Sequence, residues 1–471
     1  MVRPSVIGTV LASLAAGARG AAHWPAHPHA PPAHAYVHVP FCRRRCYYCD
    51  FPITVVGARP QAAHEAVRRY MGPLCREIRA AATLERQPGA PPLQTVYIGG
   101  GTPSLAPAEE IGALLREVRD AFGVAEGAEV TLELDPGTFD DESLAAYLAC
   151  GVNRASIGVQ SFDGARLEAA GRAHSVDDGA RAIALLQRAR EGGTLRSWSL
   201  DLIGGLPGET LVEWRASLLA AVAACPDHIS VYDLSVEPRT AYGRWEEAGK
   251  LKGLPSEEAS ADMYREAAAV LTEVGYEHYE VSSYARPGHR SRHNCAYWRN
   301  TPFLAFGTGA ASYTRALRFS RPRSIAAYAE WVSEFERHGV AAQRKGGESV
   351  GPRDWLLETV MVGLRRSDGI DLDQLAAVFG DAAARACLLA LEPAERRGLV
   401  SRSQVAGSAA SDVGGGEQGQ RLGCVRLSSP EGFLLSNDII ADVFVKLNTC
   451  VLPLITALPD SSDEVAPVLM G

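Results

Sequence analysis

From residue 35 onward, two hydrophobic rhythms take turns along the chain. Short apolar runs rich in β-branched residues occupy 35–40, 95–100, 129–136, 154–161, 197–204 and 228–236. Between them, apolar residues recur three and four positions apart over 61–82, 107–122, 141–150, 176–191 and 210–224. The first rhythm belongs to strands buried on both faces and the second to amphipathic helices. Strands alternating with helices predict a parallel sheet with helical crossovers. The rhythm alone fits a partial (β/α) barrel and a doubly wound sheet equally well.

Further on, residues 256–274 read as a helix and 276–284 as a strand. The barrel and its extension then span 35–315, a charged connecting segment covers 316–351, and a smaller, mainly α domain covers 352–447. In that domain DWLLETVMVGLRRSDGIDLDQLAAVFG predicts two short helices, and RLSSPEGFLLSNDIIADVF a hairpin-like turn and a helix. Ser, Gly and Ala dominate 401–420, the composition of a disordered insertion. Residues 448–471 read as a tail.

The first 49 residues contain no Asp or Glu, and 1–34 are rich in Ala, Pro and His. That composition predicts an organelle transit peptide, for mitochondrion or plastid. A secretory signal built on the apolar stretch 6–16 is the rival, and a disordered extension on a cytoplasmic protein the third reading. The chain has 471 residues, enough for two or three domains. Its net charge of -8 argues against broad binding to nucleic acid or anionic membranes. No stretch is long and apolar enough to span a bilayer. The ten cysteines do not resemble a disulfide scaffold, and free thiols in a reducing compartment are expected.

Chemistry enters with AYVHVPFCRRRCYYCDF, which sets Cys42, Cys46 and Cys49 as C-x3-C-x2-C after the first strand. Three thiolates at this spacing can hold three irons of a [4Fe–4S] cluster and leave the fourth open to a small molecule. A zinc site would need a fourth ligand, for which His38 inside the strand is the candidate. Unrelated reduced thiols are the third reading. In a barrel, chemistry gathers at the C-terminal ends of the strands. The cysteine loop follows the first strand and GGGTPS the second. Glu133 and Asp135 end the third, Gln160 ends the fourth, and Asp201 lies late in the fifth. One rim therefore carries them all.

The cysteine loop, GGGTPS, NRASIGVQSFDGARLEAAGRAH and SLDLIGGLPGET together resemble the radical S-adenosylmethionine (SAM) proteins. More narrowly, the chain resembles the coproporphyrinogen-dehydrogenase family over about 36–313, with a weaker echo over 353–444. The resemblance implies a radical-SAM partial (β/α)6 TIM-like barrel with a smaller, mainly α C-terminal domain. It implies that Cys42, Cys46 and Cys49 carry a [4Fe–4S] cluster whose open iron is chelated by SAM. Gly100, Gly101 and Thr102 would cradle the SAM amino group, and Glu133 would accept from it or from the ribose. Gln160, Arg172 and Asp201 would contact SAM, with Tyr36 and Tyr48 packed against SAM or the cluster. The implied chemistry is one-electron cleavage of the sulfonium to a 5′-deoxyadenosyl radical, fed by an external electron donor.

Two functions compete within the family. The coproporphyrinogen III dehydrogenases of heme biosynthesis carry a further cysteine two residues after the third, where this chain has Phe51. The ending CDF and the run HNCAYW over 293–298 resemble instead the HemW branch, heme chaperones that pass heme to an acceptor protein. An imidazole is a good axial ligand, which makes His293 a candidate heme ligand. Equally, His293 and Asn294 can cap a turn while Tyr297 and Trp298 fill core. A radical-SAM enzyme acting on something other than a porphyrin is the third class.

Overall fold

The computed structural model describes residues 27–86, 89–403 and 422–451. Residues 1–26 of the transit-peptide reading, 404–420 of the predicted insertion and 452–471 of the predicted tail lie outside the described residues.

Nine strands form the main sheet. In chain order they are β1 His34–Val39, β2 Leu93–Gly100, β3 Val124–Leu134, β4 Arg154–Gln160, β5 Ser197–Gly204 and β6 His228–Asp233, then β7 Glu277–Glu280, β8 Ser283–Ala285 and β9 Leu304–Phe306. Their order is β9-β1-β2-β3-β4-β5-β6-β8-β7. β1 to β6 pair in parallel with their sequence neighbours, and β9 joins β1 in parallel. β8 turns antiparallel against β6. The order is linear, so the sheet stays open, as a partial barrel does.

The crossovers are α1 Pro60–Glu85, α2 Ala108–Phe122, α3 Asp141–Ala149, α4 Val176–Glu191 and α5 Leu211–Ala224. Capping boxes at Asp140/Ser143, Ser175/Asp178 and Thr210/Glu213 start the last three. Buried Val37, Ile98, Leu132, Ile157, Leu200 and Ile229 belong to one continuous core under these helices. The parallel pairing puts every strand's C-terminal end on the same rim.

Residues 316–351, expected to be a connecting segment, fold onto the barrel instead. Leu317–Ser320 pairs antiparallel with Ala311–Thr314, and the helix Ile325–His338 sends Tyr328, Val332 and Phe335 into the barrel core. A wholly buried ion pair between Arg321 Nε and Glu77 Oε1 (2.6 Å) ties the segment to α1. Charges spread along a sequence look solvated, and only the fold reveals a partner 244 residues away.

The C-terminal domain has its own core, built on Leu356, Val360, Leu364, Leu391 and Val443 among others. It contains α6 Pro352–Leu364, the predicted short helix Leu372–Phe379, and a further helix, Asp381–Arg396, that the hydrophobic rhythm did not single out. Val400–Ser403 pairs with Cys424–Leu427, so the first residues of the predicted insertion are strand. The last helix among the described residues, Ser436–Cys450, carries the chain into what was read as tail. Among the described residues no helix is long and apolar enough to cross a membrane.

Candidate functional site

A cavity of about 380 Å³ sits at the C-terminal rim. It brings together Cys42, Cys46, Cys49, Tyr48, Gly100, Gly101, Thr102, Glu133, Gln160, Arg172 and Asp201. These are all the expected site residues except Tyr36 and His293. The strand ends explain the convergence, because each of these side chains follows or closes one of the parallel strands.

The cysteine loop is anchored by its backbone. Thr54 N–H donates to Pro40 O (2.6 Å) and Val56 N–H to Cys42 O (2.9 Å), so Phe41–Cys42 and Thr54–Val55 pair as two short strands. Arg45 donates to the carbonyls of Cys49, Phe51 and Ile53 at 3.0–3.2 Å and fixes the far side. Burial pushes the Cys42 thiol up to about 12, against a pull from the Thr102 hydroxyl that donates to its sulfur (3.6 Å). The Cys49 thiol is likewise raised by burial. These thiols become thiolates when a cation replaces the proton. Among the described residues no three His, Cys, Asp or Glu side chains are drawn in tightly enough for a single ion. A [4Fe–4S] cluster asks less convergence, because each thiolate binds a different iron. Three half-buried thiols on one cavity, with an arginine beside Cys46, fit that cluster.

Gly100 shows why GGGTPS is glycine-rich. Its φ of 115° is left-handed, and a Cβ there would lie 2.4 Å from His38 Nδ1. Its N–H donates to Glu133 Oε2 (2.8 Å), while Tyr97 donates to Oε1 (2.8 Å). Burial pushes the Glu133 carboxyl up to about 7, although both donors pull it down. Asp201 is also raised by burial, against the pull of the Ser230 and Ser156 hydroxyls, and Ser156 Oγ donates to its Oδ2 (3.1 Å). Gln160 adopts a left-handed φ of 67°, a strain of roughly 1–2 kcal/mol, with its amide oxygen unpartnered. Strain and an orphaned acceptor on one cavity mark a place prepared for a donor-rich ligand. Arg172 is more engaged. It donates to Tyr48 Oη (3.2 Å), Cys46 Sγ (3.4 Å) and Gly158 O (2.9 Å), and pairs with Asp135. The ion pair with Asp135 was not foreseen, though Asp135 lay on the predicted rim and Arg172 among the expected SAM contacts.

Tyr36 faces elsewhere. The register sets Tyr36 beside Tyr97 and His38 beside Gly99, and Tyr36 and Tyr97 stack at 6.0 Å. Tyr36 lines a second cavity of about 750 Å³, which meets the first at Phe51, Glu133 and Tyr232. His293, on the short helix Arg292–Trp298 between β8 and β9, lines the second cavity too but is only 1% exposed. Its Nδ1 is 2.7 Å from Thr95 Oγ1 and its Nε2 2.8 Å from Tyr297 Oη. Burial drives its pKa down to about 3. The two oxygens of Glu129 accept from the N–H groups of Arg292 and His293, so this turn is capped as well. Both nitrogens are engaged, which leaves the expected heme ligand without a free lone pair in this arrangement.

Comparison with known proteins follows the same lines. Residues 36–221 match the Radical SAM superfamily and 350–405 the HemN C-terminal domain. Heme chaperone HemW of Synechocystis is 42% identical over 416 residues, covering 88% of this chain and 97% of that protein. The radical S-adenosyl methionine domain-containing protein 1, mitochondrial, of Bos taurus is 36% identical over 346 residues, covering 71% and 73%. The solved coproporphyrinogen III oxidase of Escherichia coli, a radical SAM enzyme, superposes with a TM-score of 0.70 at 25% identity, covering 88% and 91%. The superfamily implies a [4Fe–4S] cluster and SAM as cofactors, and the first cavity carries side chains suited to both. With near-complete coverage at 42% identity, the chain belongs to the HemW family of radical SAM proteins.

Proposed function

We propose that this chain is a heme chaperone on a radical-SAM scaffold, binding heme and delivering it to an acceptor protein. The observation that carries the reading is Phe51, 63% exposed where both cavities meet. The dehydrogenase branch has a cysteine at this position, and the substitution removes a thiol from the rim. The printed name of the Synechocystis relative supports the same choice. When bound, the cluster supplies a single electron to SAM.

The residue roles are those the family resemblance implies, and their gathering on one cavity supports them. Cys42, Cys46 and Cys49 would hold the cluster. Gly100, Gly101, Thr102 and Glu133 would receive the SAM amino group, Asp201 and Gln160 its hydroxyls, and Arg172 its carboxylate, with Tyr48 packed alongside. Import into an organelle is supported by the acid-free N-terminal stretch and by the mitochondrial name of the bovine relative. Diffuse cytosolic signal from a fluorescent protein fused to residues 1–49 would sink that part.

Anaerobic heme titration of the cluster-loaded protein should saturate near one heme per chain and survive desalting. Absence of saturable binding, with protoporphyrinogen formed from coproporphyrinogen III, would put the dehydrogenase first. A pH series tests Glu133 separately. Only the ionised carboxylate gives the SAM amino group a charge-assisted bond, so SAM affinity should rise as pH climbs toward about 7 and level off above it. The slope should approach roughly tenfold per pH unit on the acid side. Glu133→Gln should bind SAM more weakly and with a flat profile by calorimetry; a wild-type profile in that variant would refute the role.

A further inference from the structure

The second cavity lies where β1 and β2 face α6 of the C-terminal domain. Its volume of about 750 Å³ falls among ligand sites, which run from about 300 to 1,000 Å³. Aromatic rings make much of its wall: Tyr36, Tyr97, Tyr232, Tyr297 and Phe303. Three of the phenols are tied back. Tyr36 bonds His38 Nδ1 (2.9 Å), Tyr97 bonds Glu133 and Tyr297 bonds His293. Tyr97 is stacked against Tyr36 (6.0 Å) and His293 (5.1 Å), so the ring most open to a guest is Tyr232, 46% exposed, and the wall as a whole offers an aromatic surface that suits a flat conjugated molecule.

One guanidinium, Arg318, lines this cavity. It lies over the Tyr313 ring at 4.1 Å. Glu358, on α6, holds it through two oxygens, at 3.0 Å to Nε and 2.7 Å to Nη2, and Asn300 Oδ1 accepts from Nη2 as well (2.9 Å). The Arg318 and Glu358 side chains are 35% and 24% exposed, so a guest carboxylate can reach the pair and compete with Glu358. The histidines are poorly placed to ligate iron. His38 is engaged at both nitrogens, by Tyr36 Oη and by Pro52 O (3.1 Å), as His293 is by Thr95 and Tyr297.

Resting on the heme-chaperone reading, we infer that the porphyrin sits in this second cavity, held by the tyrosine faces and by Arg318 exchanging Glu358 for a ligand carboxylate, and not by ligation from His38 or His293. Such a site binds the carboxylated macrocycle and largely ignores its metal.

The test titrates the cluster-loaded protein with heme and with metal-free protoporphyrin IX, read by absorbance and by quenching of protein fluorescence. The two ligands should bind within about tenfold of each other. Arg318→Gln should weaken both by about tenfold or more, the loss of one charge-assisted pair, and Arg318→Lys should recover part of it. Ala311→Trp, at an exposed strand position lining the cavity, should exclude both ligands while cluster absorbance and SAM affinity stay at wild-type values. Wild-type heme affinity in both Arg318→Gln and Ala311→Trp would overturn this site and leave the chaperone reading standing. Heme binding with protoporphyrin IX more than about a hundredfold weaker would overturn the metal-indifferent hold. A wild-type chain that binds neither ligand would overturn the inference together with the reading beneath it.

Discussion

Replacing Cys46 with serine is expected to leave a folded chain that cannot assemble its cluster. Three thiols line the first cavity, and the other seven cysteines lie outside it, so no spare ligand can step in. Serine keeps the size of the side chain but not its chemistry. A hydroxyl does not give up its proton to iron near neutral pH as a thiol does, and a cluster with an already open iron loses a second anchor. The fold should tolerate the change. Cys46 is half-buried, and Arg172 Nη1 approaches its sulfur at 3.4 Å. The cluster-free variant should therefore unfold within about 1 kcal/mol of the cluster-free wild type. Iron and sulfide content, visible absorbance after anaerobic reconstitution and a denaturant titration measure the two halves. Full cluster absorbance in Cys46→Ser would show that the site recruits a ligand from elsewhere.

The strands and helices of the barrel could be read from the sequence because parallel strands between helices are buried on both faces. The run SWSLDLIG is buried at all positions but Asp201, and that exception points into the site. The rim residues could be read for the same reason: their positions follow from where strands end. What escaped notice depends on pairings distant in sequence. The helix Asp381–Arg396 carries six alanines and Pro393 inside it, which blur its apolar stripe. Arg321 looked like one more charge in a connector, but its partner Glu77 lies on α1. Tyr36 was expected beside the cluster because it is near the cysteines in sequence. Strand alternation instead directs it with Tyr97 into the neighbouring cavity. His293 was legible as a motif residue, but the bonds that occupy both its nitrogens come from Thr95 on β2 and Tyr297 one helical turn along.

Cutting the ion pair between Arg172 and Asp135 should be the costliest polar change in the site. Their side chains are 10% and 16% exposed. Burial alone would raise the Asp135 carboxyl, yet Arg172, helped by His174 and Arg43, outweighs it and holds the group below the usual carboxylate range. Removing the guanidinium leaves that carboxylate buried without its main counter-charge, a loss of about 3–5 kcal/mol for a buried pair. Arg172→Gln should fall in this range by denaturant titration of the cluster-free protein. The double variant Arg172→Gln/Asp135→Asn should recover much of the loss, since it removes the stranded charge as well. A depressed carboxyl contributes its full stability above its unfolded value of about 3.9 and loses it as pH falls through the lower folded value. The gap between wild type and Arg172→Gln should therefore narrow toward the acid limit. A coupling below about 0.5 kcal/mol in the double-mutant cycle would mean that solvent already screens the pair. Arg172 would then act chiefly through its contacts with Cys46 and Tyr48, and its replacement would be felt in the cluster before the fold.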